Sequence, residues 1–310
     1  MADFAIETND LRKSFKRNVE ALRGLNMRVP AGAVYGLVGR NGAGKTTAIR
    51  CLMGLLRPTS GNALVLGCDM MRASWEHRSR VAYVSQQQQL YPGMTLEQLG
   101  NYVADFYPNW DRGFARDLAH RFELTYYDRE IGQMSGGEQR KAAMVLAFAA
   151  RSEVLILDEP AAGLDPIARS QFLDAIVQIL SEGDARTVLL SSHILSDLER
   201  VADTIGIMRP GEMLWEASLQ TMQERARTVQ VIFPGEVPKE FTVPGAVKQR
   251  CEGAVVTALV MMNDPGPLDA LRREAGLRVS EFPVPLEELF VELLGPQSPG
   301  QEISNLEVRA

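Results

Sequence analysis

The amino-acid sequence predicts an α/β fold with a mainly parallel sheet over its first two-thirds. Short apolar runs alternate there with longer amphipathic stretches, which is typical of strands and helices that follow one another in turn. The later runs are very short and mostly apolar, as expected of strands that are covered on both faces. The predicted strands are Val34–Val38, Val81–Ser85, Val154–Asp158, Thr187–Ser191 and Thr204–Met208.

A mostly helical insert interrupts this pattern at about residues 91–133, where the strand signal disappears. Thr95 and Asp111 are residue types that favour helix N-caps. They precede two stretches that we predict to be helices, Leu96–Phe106 and Arg112–Phe122. With this insert, the first domain is predicted to span residues 1–225.

The sequence changes character after about Arg225. Three prolines punctuate short β-rich runs and two helical stretches follow, so we predict a second, small α/β domain at 226–295. The final residues, 296–310, have few apolar side chains to bury and are predicted to form a flexible tail. The predicted elements of the second domain are Thr228–Phe233, Ala254–Met261, Pro267–Ala275 and Leu286–Leu294.

The composition is that of a globular protein, since 45% of the 310 residues are hydrophobic and 23% are charged. A net charge of −6 gives no basic footprint for nucleic acid. The longest apolar runs fall far short of the roughly 20 residues that a transmembrane helix needs, and the acidic start lacks signal-peptide features. Cys51, Cys68 and Cys251 are too scattered to indicate a metal site or disulfides. We therefore expect a cytoplasmic protein that does not itself cross a membrane.

A glycine-rich loop follows the predicted strand Val34–Val38 and precedes a helix predicted at about Lys45–Leu55. Its sequence, Gly-Arg-Asn-Gly-Ala-Gly-Lys-Thr, matches the pattern GxxxxGK[ST] of phosphate-binding loops. Glycines let backbone N–H groups point at phosphate oxygens, and the helix N-terminus adds partial positive charge. We expect Lys45 to contact the β- and γ-phosphates and the Thr46 hydroxyl to bind Mg²⁺. The predicted nucleotide-binding residues of the loop are Gly39, Asn41, Gly42, Gly44, Lys45, Thr46 and Thr47.

Two carboxylates end the predicted strand Val154–Asp158. Because this places Asp158 at the carboxyl edge of the sheet, beside the phosphates, we expect it to hold the Mg²⁺ shell. Glu159 follows directly and is placed to act as general base for the attacking water. Asp-Glu also ends strands without any function, but its spacing after the phosphate-binding loop favours the catalytic interpretation.

A pair of glycines precedes another predicted helix, Arg140–Ala150. Ser135, Gly136 and Gly137 stand before it, and a serine with free N–H groups at a helix start attracts anions. The first loop already accounts for one triphosphate, so this second anion-facing helix start predicts that another subunit supplies its nucleotide. The alternative is an ordinary serine N-cap followed by two flexible glycines.

In this order, the motifs resemble those of the ABC ATPase family over about residues 3–225. The resemblance implies a P-loop NTPase fold of ABC type with an N-terminal antiparallel β part. It implies that Gln86 contacts Mg²⁺ or water and relays to a membrane subunit, and that His193 steadies the γ-phosphate and the attacking water. It also implies that Phe15 stacks on adenine and that Asp165 lies in a loop that crosses a dimer interface.

Two residues depart from the family pattern. Phe15 stands where a tyrosine is more usual, and Glu138 stands where the family usually has glutamine. Because Ser135 and Gly137 are intact, the sequence still predicts an active site.

The resemblance also implies what the protein binds. ATP and Mg²⁺ are expected, in a homodimer or in a heterodimer with a similar ATPase, because one set of motifs per chain must build a shared site. Runs after His193, near the C-terminus and at Phe106–Asp111 are similar to free-standing ATPase subunits of bacterial drug and antibiotic exporters. Such subunits lie on the inner face of the cell membrane and pair with separate integral membrane subunits. We therefore expect ATP hydrolysis that drives export of an unknown substrate.

Two other functions stay open. An ABC ATPase acting on ribosomes or DNA would share the motifs, although such proteins usually have two ATPase domains or long coiled-coil or zinc insertions, and no nucleic-acid partner is expected here. The other is a regulatory ATP-binding protein with little turnover.

Overall fold

The computed structural model describes residues 4–16, 19–87, 89–124, 129–181, 186–238, 240–261, 266–273 and 276–294. The predicted tail at 296–310 lies outside these residues. The chain divides into two compact units, Met1–Glu216 and Ala217–Ala310. This division falls before residue 225, where the sequence predicts the boundary of the nucleotide-binding domain.

The first unit contains two sheets and seven α-helices within the described residues. Its strands are β1 (Phe4–Phe15), β2 (Val19–Pro30), β3 (Val34–Gly39), β4 (Ser60–Val65), β5 (Val81–Val84), β6 (Val154–Asp158), β7 (Thr187–Ser192), β8 (Thr204–Arg209) and β9 (Glu212–Ser218), the last of which runs across the division. Its helices are α1 (Lys45–Leu52), α2 (Trp75–Arg78), α3 (Leu96–Ala104), α4 (Arg112–Arg121), α5 (Gly136–Ala149), α6 (Pro166–Ser181) and α7 (Leu195–Val201).

The larger sheet has the strand order β5-β6-β7-β3-β8-β9. The neighbours from β5 to β8 in this order pair in parallel, and β3, β6 and β7 are buried along their whole length. The five predicted strands are confirmed, and each ends within one residue of its predicted end. Since β3 lies between β7 and β8, the loop after β3 emerges in the middle of the sheet.

The smaller sheet is antiparallel and has the order β2-β1-β4, which agrees with the expected N-terminal antiparallel part. Helix α1 contributes Ala48, Ile49 and Leu52 to a buried cluster that also takes side chains from both sheets, among them Leu25 of β2 and Leu37 of β3. The helix that starts at the phosphate-binding loop is therefore packed between the two sheets.

The helical insert is capped at the predicted residues. Thr95 and Gln98 form a reciprocal capping box at the start of α3, and the Asp111 side chain accepts a hydrogen bond from Phe114 N at the start of α4. Both helices end one or two residues before their predicted ends. Helix α5 instead begins four residues before the predicted Arg140, because Ser135 caps it at Gly136.

The second unit has a four-stranded antiparallel sheet in the order β11-β12-β10-β13. Val229, Val231, Val256 and Val260 form its core with neighbouring apolar side chains. The sequence did not predict β11 or β13, because both are rich in charged and polar residues. The elements are α8 (Leu219–Arg225), β10 (Ala226–Ile232), β11 (Ala246–Glu252), β12 (Val255–Met261), α9 (Gly266–Arg272), β13 (Arg278–Pro283) and α10 (Leu286–Leu294).

Asp111 ties the helical insert to the end of α5. Its Oδ2 accepts hydrogen bonds from Arg151 Nε at 3.2 Å and Nη2 at 2.9 Å, and its backbone N–H donates to Ala149 O. The Arg151 guanidinium, whose side chain is only 12% exposed, stacks on the Phe114 ring at 4.0 Å. One carboxylate therefore both caps α4 and neutralises a largely buried cation.

We expect Asp111→Ala to lower the free energy of unfolding of the first unit by about 3 kcal/mol, since it removes an N-cap and charged hydrogen bonds together. Asp111→Asn should cost less, because the amide oxygen still caps α4. Trp75, Trp110 and Trp215 all lie in the first unit, so tryptophan fluorescence during urea unfolding reports on that unit. Equal midpoints for Asp111→Ala and the wild type would contradict the assignment.

Candidate active site

The predicted catalytic residues follow neighbouring strands of the larger sheet. Gln86 follows β5, Glu159 follows β6 and His193 follows β7, while the phosphate-binding loop follows β3. Because these four strands are adjacent and parallel, their carboxyl ends meet at one edge. Asp158 is paired with Ser191 across β6 and β7. The register therefore brings the four segments to one place.

The phosphate-binding loop needs glycine at two positions for different reasons. Gly44 has φ of 105°, and a Cβ there would lie 2.6 Å from Ala21 O. A Cβ at Gly39 would lie 2.9 Å from both Ala43 Cβ and Met208 O. At these two positions the backbone passes too close to neighbouring atoms to leave room for a side chain. The remaining predicted residues of the loop and helix start are exposed (Asn41 and Gly42) or half-buried (Thr47).

Lys45 opens α1 and lies at the centre of the site. Its Nζ donates to Gly39 O at 2.7 Å and lies 3.1 Å from Glu159 Oε1. The side chains of Lys45 and Glu159 are only 5% and 8% exposed, so this ion pair is poorly screened by water. The ammonium is held where the phosphate-binding loop closes, and its charge is balanced by the residue expected to be the base.

Asp158 occupies the buried end of β6. Its Oδ1 accepts hydrogen bonds from Thr46 Oγ1 at 3.1 Å and Ser191 Oγ at 2.9 Å. Burial raises the pKa of Asp158 above its ordinary value. Its Oδ2 is also buried and has no hydrogen-bond partner within the described residues. A hard cation would satisfy this oxygen together with the Thr46 hydroxyl, so the donor set fits Mg²⁺.

Glu159 bridges Lys45 and His193. Its Oε2 lies 2.9 Å from His193 Nδ1, and its backbone N–H donates to Ser191 Oγ at 2.9 Å. Because an ionised carboxylate only accepts hydrogen bonds, Nδ1 carries the hydrogen and Nε2 remains for another partner. The His193 side chain is 48% exposed, so Nε2 is accessible from the loop side.

Glu159 also has a strained backbone, with φ of 47°. Non-glycine residues rarely adopt this backbone conformation, and they keep it only where their surroundings hold the backbone in place. The hydrogen bond to Ser191 and the contacts to Lys45 and His193 supply that restraint.

The second predicted anion site is an exposed helix start. Ser135 Oγ accepts a hydrogen bond from Glu138 N at 3.3 Å, which leaves its own hydrogen available to donate. A Cβ placed at Gly136 or Gly137 would meet nothing within 4 Å. Packing within the described part of the subunit therefore does not explain two glycines at the start of a helix, where each costs about 1 kcal/mol relative to alanine.

Glu138 completes the cap of α5. Its Oε2 accepts from Ser135 N at 2.7 Å, and its Oε1 pairs with Arg129. The hydrogen bond from Arg129, with a smaller contribution from the Ser135 N–H, lowers the pKa of Glu138 to about 2. The charge at this departure from the family pattern is therefore neutralised within the subunit.

The three remaining predicted residues are all exposed. Gln86 lies in the loop after β5, and Asp165 caps α6 by accepting from Ile167 N and Ala168 N at 2.9 Å each. Phe15 ends β1 with 44% of its surface exposed and with the Lys13 ammonium 5.3 Å from its ring centroid. Their expected roles toward Mg²⁺, the dimer interface and adenine stay predictions.

Two residues of the site were missed from the sequence. Ser191 links Asp158 to the Glu159 backbone, and Arg140 donates to Gln86 O at 3.4 Å. The signal for Ser191 was a hydroxyl at the end of an otherwise apolar buried strand. Arg140 gave no signal beyond its place one turn after the glycine pair.

A phosphate-binding loop in mid-sheet, two carboxylates on the neighbouring edge and a second anion-facing helix start define a P-loop nucleotide-binding domain. Residues 22–162 match the family model described as ABC transporter. The chain is 30% identical to a Nod factor export ATP-binding protein I of Burkholderia lata, over 90% of this chain and 96% of that protein. It is 28% identical to the Bacillus subtilis ABC transporter ATP-binding protein YtrB, over 94% and 98% of the two chains.

Solved structures agree with this assignment. An ATP-binding subunit of an ABC transporter superposes with a TM-score of 0.64 at 28% identity, covering 71% of this chain and 92% of that one. A dimeric ATP-binding cassette bound to ADP and phosphate has the same fold, with a TM-score of 0.61 at 23% identity over 69% and 98% of the two chains. The chain belongs to the ATP-binding proteins of ABC transporters, so the expected family, fold and role as an ATP-binding transporter subunit are confirmed.

No helix within the described residues is both long enough and apolar enough to span a membrane.

The paired carboxylate of Glu138 should make stability depend on pH. Its pKa is lower in the folded state than the usual 4.5, so its contribution is fully present above about pH 4.5 and is lost as the pH falls towards 2. We expect Glu138→Gln to lower the unfolding free energy by about 1 kcal/mol at pH 7, because the pair with Arg129 is partly exposed.

The difference between Glu138→Gln and the wild type should be smaller at pH 3.5 than at pH 7 in urea unfolding. Arg129→Gln should give the same pH dependence. A difference that stayed constant with pH would exclude the ion pair as its cause.

Proposed function

We propose that this chain hydrolyses ATP as a dimer and drives export through separate integral membrane subunits. The hydrolysis proposal is supported by the different partners of two adjacent carboxylates. Asp158 accepts hydrogen bonds from Thr46 and Ser191, while Glu159 lies between Lys45 and His193. One carboxylate is thus placed for the metal and the other for water.

The reaction begins when the phosphates of ATP bind the loop before α1. They compete with Glu159 for the Lys45 ammonium, since both are anions and only one lysine is present there. The freed Glu159 carboxylate accepts a proton from water as the water oxygen attacks the γ-phosphorus and the bond to ADP breaks. His193, which donates through Nδ1 to Glu159 Oε2, holds the carboxylate in place.

Mg²⁺ would be held by Thr46, Asp158 and Gln86. When bound, it neutralises charge on the β- and γ-phosphate oxygens. The buried Oδ2 of Asp158, for which the described residues supply no hydrogen-bond partner, supports this assignment.

The proposed dimer explains the open glycines at the start of α5. Ser135, Gly136 and Gly137 present a hydroxyl and backbone N–H groups to an anion, and they have room in front of them for a phosphate chain. We assign that phosphate chain to ATP held by Lys45 and Thr46 of a second subunit. The exposed loop that ends at Asp165 would lie at the same interface. A homodimer and a heterodimer with a similar ATPase fit equally.

A cleft of about 530 Å³ is the proposed contact for a membrane subunit. It lies between the loop after β5 and the helical insert, and Tyr83, Gln87, Val103 and Phe106 are among its lining residues. Tyr91 and Tyr102 extend this surface from Phe106: the three rings form edge-to-face contacts at 5.9 and 5.4 Å between centroids, and each residue is roughly half exposed. Exposed aromatic side chains are typical anchors of protein interfaces. A helix of the membrane subunit would fill this cleft next to Gln86.

Export is supported by the relatives, which include the Nod factor export protein and a probable multidrug ABC transporter ATP-binding protein of Escherichia coli, YbhF, at 30% identity over 95% of this chain and 53% of that protein. The transported substrate would contact the membrane subunits, so this chain does not identify it.

Glu159→Gln tests hydrolysis and the shared site together. The amide keeps the shape but cannot accept the proton, so ATP hydrolysis should fall at least about a hundredfold while MgATP still binds. Unhydrolysed ATP should then shift the variant from monomer to dimer in size-exclusion chromatography, because a ligand that binds the dimer better favours it.

Two further variants serve as controls. Ser135→Arg added to Glu159→Gln should abolish the dimer without reducing ATP binding, and Lys45→Ala should abolish ATP binding in calorimetry. Hydrolysis at the wild-type rate by Glu159→Gln would contradict the assignment of Glu159 as general base. A variant that stayed monomeric at saturating MgATP would contradict a nucleotide site shared between two subunits.

The proposed membrane contact is tested by Tyr102→Ala combined with Phe106→Ala. The pair should reduce co-purification with the co-expressed membrane subunit about tenfold or more, as expected when interface anchors are removed, and should leave ATP binding intact. Trp75→Ala is the control, because Trp75 is a still more exposed aromatic residue that does not line the cleft. Equal co-purification of the double variant and Trp75→Ala would refute the contact.

A further inference from the structure

Arg140 lies on the helix face that carries the open glycines. It follows Gly136 by four residues and Gly137 by three, and residues at these spacings share one face of an α-helix. Its side chain is half-buried. Arg140 thus lies one helical turn after the predicted phosphate-facing start of α5.

The Arg140 guanidinium lies between two loops of the site. Its Nη2 donates to Gln86 O at 3.4 Å, in the loop after β5. Its Nη1 lies only 3.0 Å from where a Cβ at Gly163 would be, in the loop that leads to Asp165. One side chain on α5 therefore contacts both the loop of the predicted glutamine and the loop expected at the dimer interface.

Arg140 differs from other arginines of this region in having no carboxylate. Arg129 pairs with Glu138 and Arg151 pairs with Asp111, whereas no ion pair of Arg140 is present within the described ranges. Its Nε is buried without a hydrogen-bond partner among those residues. A buried N–H donor without a hydrogen-bond partner is unfavourable, so stability alone does not explain an arginine here.

We infer that Arg140 is a positioning residue for ATP hydrolysis, which fixes the Gln86 loop relative to the glycine face of α5 and the loop of Gly163. The inference rests on the proposed function, because it assigns Gln86 to the reaction. Gly163 supports it, since its φ of 77° and the absence of a side chain let the loop approach the guanidinium closely. Arg140 itself does not contact the reacting atoms; it acts through Gln86.

The test is MgATP hydrolysis by the full chain. Arg140→Ala should lower kcat about tenfold, because small misplacements of a positioned group are costly, while KM for ATP stays within about twofold. Arg140→Lys keeps the positive charge and a donor and should recover part of the lost kcat. Arg116→Ala, on α4, is the matched control and should behave as wild type.

A double-variant comparison separates positioning from structure. If Arg140 acts through Gln86, Arg140→Ala should change kcat less than about twofold once Gln86→Ala is present, because coupled residues are not additive. Thermal unfolding should show Arg140→Ala and wild type with similar midpoints.

Three results would overturn the inference. The first is a wild-type kcat for Arg140→Ala, and the second is a tenfold lower kcat for the double variant than for Gln86→Ala alone. The third is a loss of activity in Arg140→Ala that equals its loss of folded protein. The proposed function is tested separately: the base assignment fails if Glu159→Gln hydrolyses ATP at the wild-type rate, and the shared site fails if this variant stays monomeric at saturating MgATP.

Discussion

The parallel register of β5, β6, β7 and β3 is the constraint on which the site depends. Each strand is too short to hold more than one or two functional side chains at its end, and each contributes a different kind of group. Lateral pairing of Asp158 with Ser191 and of Val38 with Ser192 places these ends side by side. A slip of one residue in any pair would turn an end residue to the opposite face of the sheet. β3, β6 and β7 are buried along their whole length, so a slip would require repacking on both faces of the sheet.

The electrostatics of the site come from two buried carboxylates with different partners. Asp158 accepts hydrogen bonds from two hydroxyl groups through Oδ1, and its buried Oδ2, which has no hydrogen-bond partner among the described residues, could bind a cation. Glu159 instead faces a lysine and a histidine, and both contacts keep it oriented. These adjacent residues meet different partners because β6 ends at Asp158 and the backbone turns at Glu159, where φ is 47°.

The sequence predicted features that depend on local pattern and missed those that depend on contacts between distant segments. The five parallel strands, the N-caps Thr95 and Asp111 and the phosphate-binding loop all have their signals within about ten residues. The predicted start of α5 is four residues too late. Glu138, which the family pattern marks only as a departure from glutamine, is part of the capping box that begins the helix. The Lys45–Glu159 ion pair and the Ser191 bridge could not be predicted, since they arise from the order and register of strands far apart in the chain.

The packing of α1 between two sheets has a consequence for motion. Close-packed apolar interfaces resist deformation, so the helix behind the phosphate-binding loop cannot shift without moving both sheets. The helical insert is different, because polar links such as that of Asp111 to Arg151 contribute to its attachment. Water can replace a partner in such a hydrogen bond, whereas no partner replaces an apolar contact that opens. Any rearrangement on nucleotide binding should therefore appear as a rotation of the insert about a rigid nucleotide-binding core.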